Sequence, residues 1–102
     1  MDQVAHYQQL AQALIQVCPA NFISAELEAQ VGDDWSEIKY HCALPGGEQR
    51  GLPAPAAVDF ATDETLHQLR KGMQQDGRTP WSRCTFRLQP DGQFKFDVKY
   101  DD

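Results

Sequence analysis

Three histidines and three cysteines are the side chains here that could serve as bases, nucleophiles or soft metal ligands near neutral pH. His6 and His67 fall on helical patterns and His41 on the outward phase of a strand, none beside a nucleophile. Cys18, Cys42 and Cys84 are far apart and odd in number, with no Cys-x-x-Cys or Cys/His pairing, so they predict reduced thiols packed as small core residues rather than a zinc site or a disulfide framework. Cys84 takes an inward strand phase, which disfavours a reactive thiolate. Glu26 and Glu28 share one strand face in the manner of an acid/base pair, but two carboxylates on a solvated strand are ordinarily a charged surface. Asp33-Asp34 is too sparse for a calcium loop, and Gly46-Gly47 opens no helix, so it is not a phosphate loop. The expectation is a protein that is not an enzyme and needs no metal or cofactor.

Charge points instead to binding. The 102 residues carry a formal charge of −6, which disfavours nucleic acid as a partner and favours basic protein surfaces. The excess is local. Between Ser24 and Tyr40, Glu26, Glu28, Asp33, Asp34 and Glu37 face Lys39 alone, whereas from Trp81 onward four basic residues meet four acidic ones. With 41% apolar and 24% charged residues the composition is that of a globular protein, sized for one domain over residues 1–102. No apolar run approaches the ~18 residues of a membrane span. The opening MDQVAHYQQL lacks the basic flank and apolar centre of an export signal. The expected location is cytoplasmic, with no membrane partner.

The elements that must carry these residues follow from periodicity. Val4, Tyr7, Leu10, Ala11, Leu14, Ile15 and Cys18 keep helical spacing, which predicts a helix capped by Asp2 and stopped by Pro19, with an uncharged glutamine-rich outer face. From Asn21 to Val31 the period becomes two, with Ile23, Ala25, Leu27, Ala29 and Val31 inward. Gly32-Asp33-Asp34 turns the chain. Ser36 to Leu44 alternates again, with Ile38, Tyr40, Cys42 and Leu44 inward, and Trp35 shares the outward phase. Pro45 to Ala57, with three prolines and three glycines, predicts an irregular stretch, either a crossover or a binding loop. Thr62 is placed as the cap of a second helix with Asp63 and Glu64 at its start, Leu66, Leu69 and Met73 as its apolar stripe, and Gly77 as its stop; Thr79-Pro80 then leads out of it. The strongest local signal is Trp81 to Tyr100. There Cys84, Phe86 and Leu88, then Phe94, Phe96, Val98 and Tyr100, alternate with charged residues around Gln89-Pro90-Asp91-Gly92, a hairpin.

These elements predict an α+β two-layer fold in the order α-β-β-α-β-β. A single antiparallel sheet of four strands, or slightly more, has one face covered by both helices. The outward Arg83, Arg87, Lys95 and Lys99 are expected beside the acidic hairpin and paired with it.

The C-terminal pattern carries a resemblance. A Trp opening a strand, an aromatic within it, a glycine turn, Gly-x-Phe-x-Phe and a closing Tyr-Asp, here Trp81, Phe86, Gly92, Phe94, Phe96, Tyr100 and Asp101, resemble the YezG-type immunity proteins, small antitoxins of bacterial polymorphic toxin systems. Trp35 ahead of an alternating strand is similar to that family too. The resemblance covers most of the chain in order and length, and its specific motif lies in about the last 22 residues. It implies a cytoplasmic protein that binds and blocks a cognate toxin domain, often a nuclease. Glu26, Glu28, Asp33, Asp34 and Glu37 would then stand in for phosphates before the toxin's cationic groups. The outward phase of Trp35 places it either over the edge of the core or as an aromatic anchor for a partner. The protein is expected as a monomer or weak homodimer. The alternative of another class is a small acidic dimeric chaperone for a secreted effector.

Overall fold

The computed structural model describes residues 3–73 and 80–100, except for the side chains of Gln3 and Met73. The expectations placed on Asp2, the Met73 side chain, Gly77, Thr79, Asp101 and Asp102 fall outside the described residues. The elements are α1 (Gln3–Val17), β1 (Ser24–Val31), β2 (Ser36–Ala43), β3 (Gln49–Leu52), α2 (Ala56–Met73), β4 (Arg83–Leu88) and β5 (Phe94–Lys99). The five strands form one sheet in the order β3-β2-β1-β4-β5, and every neighbouring pair is antiparallel. Two helices and this sheet make the expected two-layer α+β fold, its five strands within the expected four or slightly more, with β3 added to the expected order ahead of α2.

β1 is the central strand because its alternation is the most regular. Ala25, Leu27, Ala29 and Val31 are all buried. With Tyr40 from β2 and Cys84, Phe86 and Leu88 from β4 they form the inner sheet face, closed by Leu10 and Leu14 of α1 and Leu66 and Leu69 of α2. Trp81 is fully buried ahead of β4, its ring edge-on to Phe96 at 6.0 Å. Fully burying a large apolar side chain contributes about 1.5–3 kcal/mol, so this one face accounts for most of the driving force. In the turn of the last hairpin Gly92 has φ +92°, the backbone conformation expected of it, and its N–H donates to the Gln89 carbonyl at 3.0 Å.

Four expectations are corrected. The stretch from Pro45 is not wholly irregular: Gln49–Leu52 turns back at Gly46-Gly47 and pairs with the free edge of β2, a tertiary gain that outweighs its poor strand propensity. Thr62 does not cap α2. The helix starts six residues earlier, where the Pro55 carbonyl accepts the Asp59 N–H, and Thr62 lies buried within it, its Oγ1 donating to the Val58 carbonyl at 2.8 Å. Ala56 and Ala57 are strong helix formers just past Pro55, so the start falls there. On α1, Val4 and Ile15 are half-exposed, because they sit roughly 100° around the helix from Leu10 and Leu14, beyond the arc that meets the sheet. Ile23 precedes β1, and Phe94 and Tyr100 sit on or beside the edge strand β5; all three are half-exposed. There α1 contributes Tyr7, 5.2 Å from Phe94 and 5.3 Å from Phe96, which covers the edge only in part.

Candidate functional site

The helices leave the other sheet face open, and strand register arranges its side chains in rows. One row runs His41, Glu26, Arg87, Lys95 from β2 to β5. The next runs Lys39, Glu28, Thr85, Asp97, and the third Glu37, Gln30, Arg83, Lys99. The β1–β2 half therefore carries Glu26, Glu28 and Glu37 against Lys39 and His41. The β4–β5 half carries Arg83, Arg87, Lys95 and Lys99 against Asp97. The face is bipolar, acidic on one side and basic on the other. A trough of about 400 Å³ crosses it, lined by Glu28, Glu37, Lys39, Arg83, Asp97 and Lys99 among others.

The expected pairing between the two hairpins is present in part: among the described residues Arg87 alone of the four basic residues meets an acidic group of the β1–β2 hairpin, while Lys95 lies 4.0 Å from Asp97 on its own strand. Arg87 donates from Nε and Nη2 to Glu26 Oε2 at 3.0 and 2.8 Å. Burial works against ionisation of Glu26, but the hydrogen bonds from Arg87 and the charges of Arg87 and His41 outweigh it and hold the carboxyl below its ordinary value. With the Gln30 amide oriented to accept, Arg83 donates to it from Nε and Nη2, both at 3.1 Å.

Of the six residues expected to bind a partner, Glu26, Glu28 and Glu37 lie on the open face, and Asp33, Asp34 and Trp35 form the β1–β2 turn at its end. They are not equally available. Glu26 is tied to Arg87, and Asp33 meets Arg70 Nη1 at 3.1 Å. Arg70 also donates to the carbonyls of Trp81 and Gly32, so one guanidinium from α2 pins both the acidic turn and the entry to β4. Glu28, Asp34 and Glu37 are exposed. Trp35 is 53% exposed, against 0% for Trp81, and its indole packs against Gly32, where a Cβ would come within 2.1 Å of Nε1. This explains why glycine precedes Asp33: any side chain there would push the indole aside.

The histidines and thiols take these places. His6 Nε2 lies 3.0 Å from Gln68 Oε1, between the two helices. His67 Nε2 lies 3.2 Å from Asp63 Oδ1, which also accepts from Ser36 Oγ. Tyr40 is buried and donates to Asp59 Oδ1 at 2.9 Å, and burial pushes its phenol up. Cys42 and Cys84 are buried on the core face and Cys18 is half-buried. Burial pushes the Cys84 thiol up to about 12, and burial together with the neighbouring Cys42 does the same for Cys18, so neither supplies a thiolate near neutral pH. One grouping escaped sequence reasoning: His41 Nε2 stands 3.6 Å from Glu26 Oε1 and 3.3 Å from Glu28 Oε1. Its signal was present in the outward phase shared by the three residues, but only the β1–β2 register puts His41 across from Glu26.

This geometry defines a two-layer α+β protein with one helix-free, charge-patterned sheet face. No family model matches the chain. It is similar to two curated proteins. One is Immunity protein YezG of Bacillus spizizenii (strain ATCC 23059 / NRRL B-14472 / W23), 26% identical over 108 aligned residues that cover 94% of this chain and 67% of that protein. The other is Immunity protein YezG of Bacillus subtilis (strain 168), 25% identical over 94% of this chain and 72% of that protein. The resemblance to YezG-type immunity proteins stands along nearly the whole chain, well beyond the C-terminal motif. Among the described residues no helix is long and apolar enough to cross a membrane.

Proposed function

We propose that this protein is an immunity protein that acts in the cytoplasm by binding a cognate toxin domain and blocking it, without catalysis of its own. The observation that carries the reading is the similarity over 94% of the chain to two proteins named for that activity. The open sheet face is the recognition surface in this reading, and Trp35 at its end is the aromatic anchor. Glu28, Asp34 and Glu37, exposed and free of the Arg87 and Arg70 pairs, meet cationic groups of the toxin, as the phosphates of a nuclease substrate would. Glu26 and Asp33 contribute through the field they share with their arginines. The basic β4–β5 half sets orientation, since a partner docked the wrong way round meets like charge.

Co-expression with a toxin encoded beside this chain's gene tests the function: cells carrying both should survive, and death in every such pairing despite a folded immunity protein would remove the reading. Given protection, Glu28→Lys with Glu37→Lys tests the surface. The double variant should bind the toxin roughly 100-fold more weakly, at about 1.4 kcal/mol per charge contact, with a shallower salt dependence by calorimetry. Unchanged affinity would move recognition off this face and leave the function standing.

A further inference from the structure

The open face brings Glu26 and Glu28, which the reading above assigns to recognition, together with His41, which that reading does not use. His41 lies directly across from Glu26 in the β1–β2 register, and Glu28 is two residues further along β1, so all three side chains rise from the same face. One ligand atom from each, an imidazole nitrogen and two carboxylate oxygens, lies within 4.8 Å of the others. We propose that Glu26, Glu28 and His41 form a binding site for a divalent transition-metal ion, with zinc as the ion that best suits one imidazole and two carboxylates.

Geometry and orientation both support this. His41 Nε2 stands 3.6 Å from Glu26 Oε1 and 3.3 Å from Glu28 Oε1, close to the roughly 3.3–3.6 Å between donors that share a tetrahedral zinc ion at about 2.0–2.2 Å. Arg87 occupies Glu26 Oε2 and turns Oε1 toward His41, the orienting role that an outer hydrogen-bond donor plays for a metal-bound carboxylate. The side chains of Glu28 and His41 are 51% and 34% exposed, which leaves the remaining coordination positions to water. Imidazole favours transition metals over calcium or magnesium, which take oxygen ligands. The charged groups facing the cluster are Arg87 on β4 and Lys39, across from Glu28 on β2. Two cations so close make the site exchangeable rather than a structural zinc centre. A proton on His41 Nε2 competes with the metal for the same position.

Calorimetric titration of the intact protein with zinc chloride tests the site, with the imidazole signals of all three histidines followed by NMR. The expected result is one zinc per chain, with the His41 signals shifted and those of His6 and His67 in place. His41→Ala and Glu28→Gln should each weaken binding by roughly tenfold or more, and Cys18→Ser should leave it unchanged. Glu28→Gln, a change at an exposed position, keeps the test valid if His41→Ala folds poorly. Absence of binding at millimolar zinc would overturn the proposal. Wild-type affinity in both variants would also do so, because the ion would then sit elsewhere, for instance at Asp63 and His67. Toxin protection plays no part in this readout, so the site and the immunity reading stand or fall separately.

Discussion

Glu26 is where single residues decide the character of the open face. Counted from sequence it is one more acidic group on an acidic hairpin. In the fold it accepts two hydrogen bonds from Arg87 and faces His41. Its carboxyl lies below its ordinary value when folded, so the folded chain binds fewer protons there than the unfolded chain. The stability it adds is fully present above the unfolded value near 4.5 and is lost as pH falls through the folded value. Glu26→Gln should therefore be less stable than wild type at neutral pH, and the gap should close as pH drops below about 4.5. Urea unfolding across that range measures it; a gap that stays constant into acid would assign the loss to packing. Glu28, exposed beside it, shows no comparable tie to an arginine, which is why the charge-reversal test falls on Glu28 and Glu37.

At the scale of elements, the contacts between α2 and the sheet fix the candidate surface. Asp59 meets Tyr40, Asp63 meets Ser36, and Arg70 reaches the Gly32 carbonyl, Asp33 and the Trp81 carbonyl. The helix thus runs antiparallel to β2 and ends over the acidic turn. The Arg70 side chain is only 15% exposed, so its hydrogen bonds are largely shielded from water. Arg70→Met, which keeps the aliphatic stem, should cost about 2 kcal/mol in chemical denaturation, in line with charged hydrogen bonds at partly buried sites. It should also loosen both the acidic turn and the entry to β4, read as a change in tryptophan fluorescence, with Trp81→Phe in the same background isolating the Trp35 part. A loss within 0.5 kcal/mol, the usual effect of a surface change, would show that the turn holds itself.

At the scale of the molecule, the bipolar face bears on association. A one-sign acidic surface would repel its own copies, whereas an acidic half beside a basic half permits a weak, salt-sensitive encounter between copies. Charged residues are depleted at the cores of stable interfaces, and this face is rich in them. The expected state is a monomer at micromolar concentration that forms a one-to-one complex with the toxin. Light scattering on the free chain and on the complex measures both. A dimer that persists on dilution would favour the effector-chaperone reading and count against the immunity reading.

The sequence by itself determined what is local. Period-two alternation in Ala25–Val31 and in Cys84–Leu88 identified strands and their inner faces, because each side chain's direction follows from its neighbours' dihedrals. Gln89-Pro90-Asp91-Gly92 identified its turn for the same reason, and the C-terminal aromatics with Trp35 carried the family resemblance. Only the tertiary structure decided what depends on residues distant in the chain. β3 exists because β2 had an edge to fill. Phe94 and Tyr100 are apolar yet half-exposed at the edge strand, and Val4 and Ile15 because they lie beyond the arc of α1 that meets the sheet. The pairing of Glu26 with Arg87, and the meeting of Glu26, Glu28 and His41, rest on register between strands. Register is set by the packed inner face, and a slip of one residue would turn every one of these side chains to the other side.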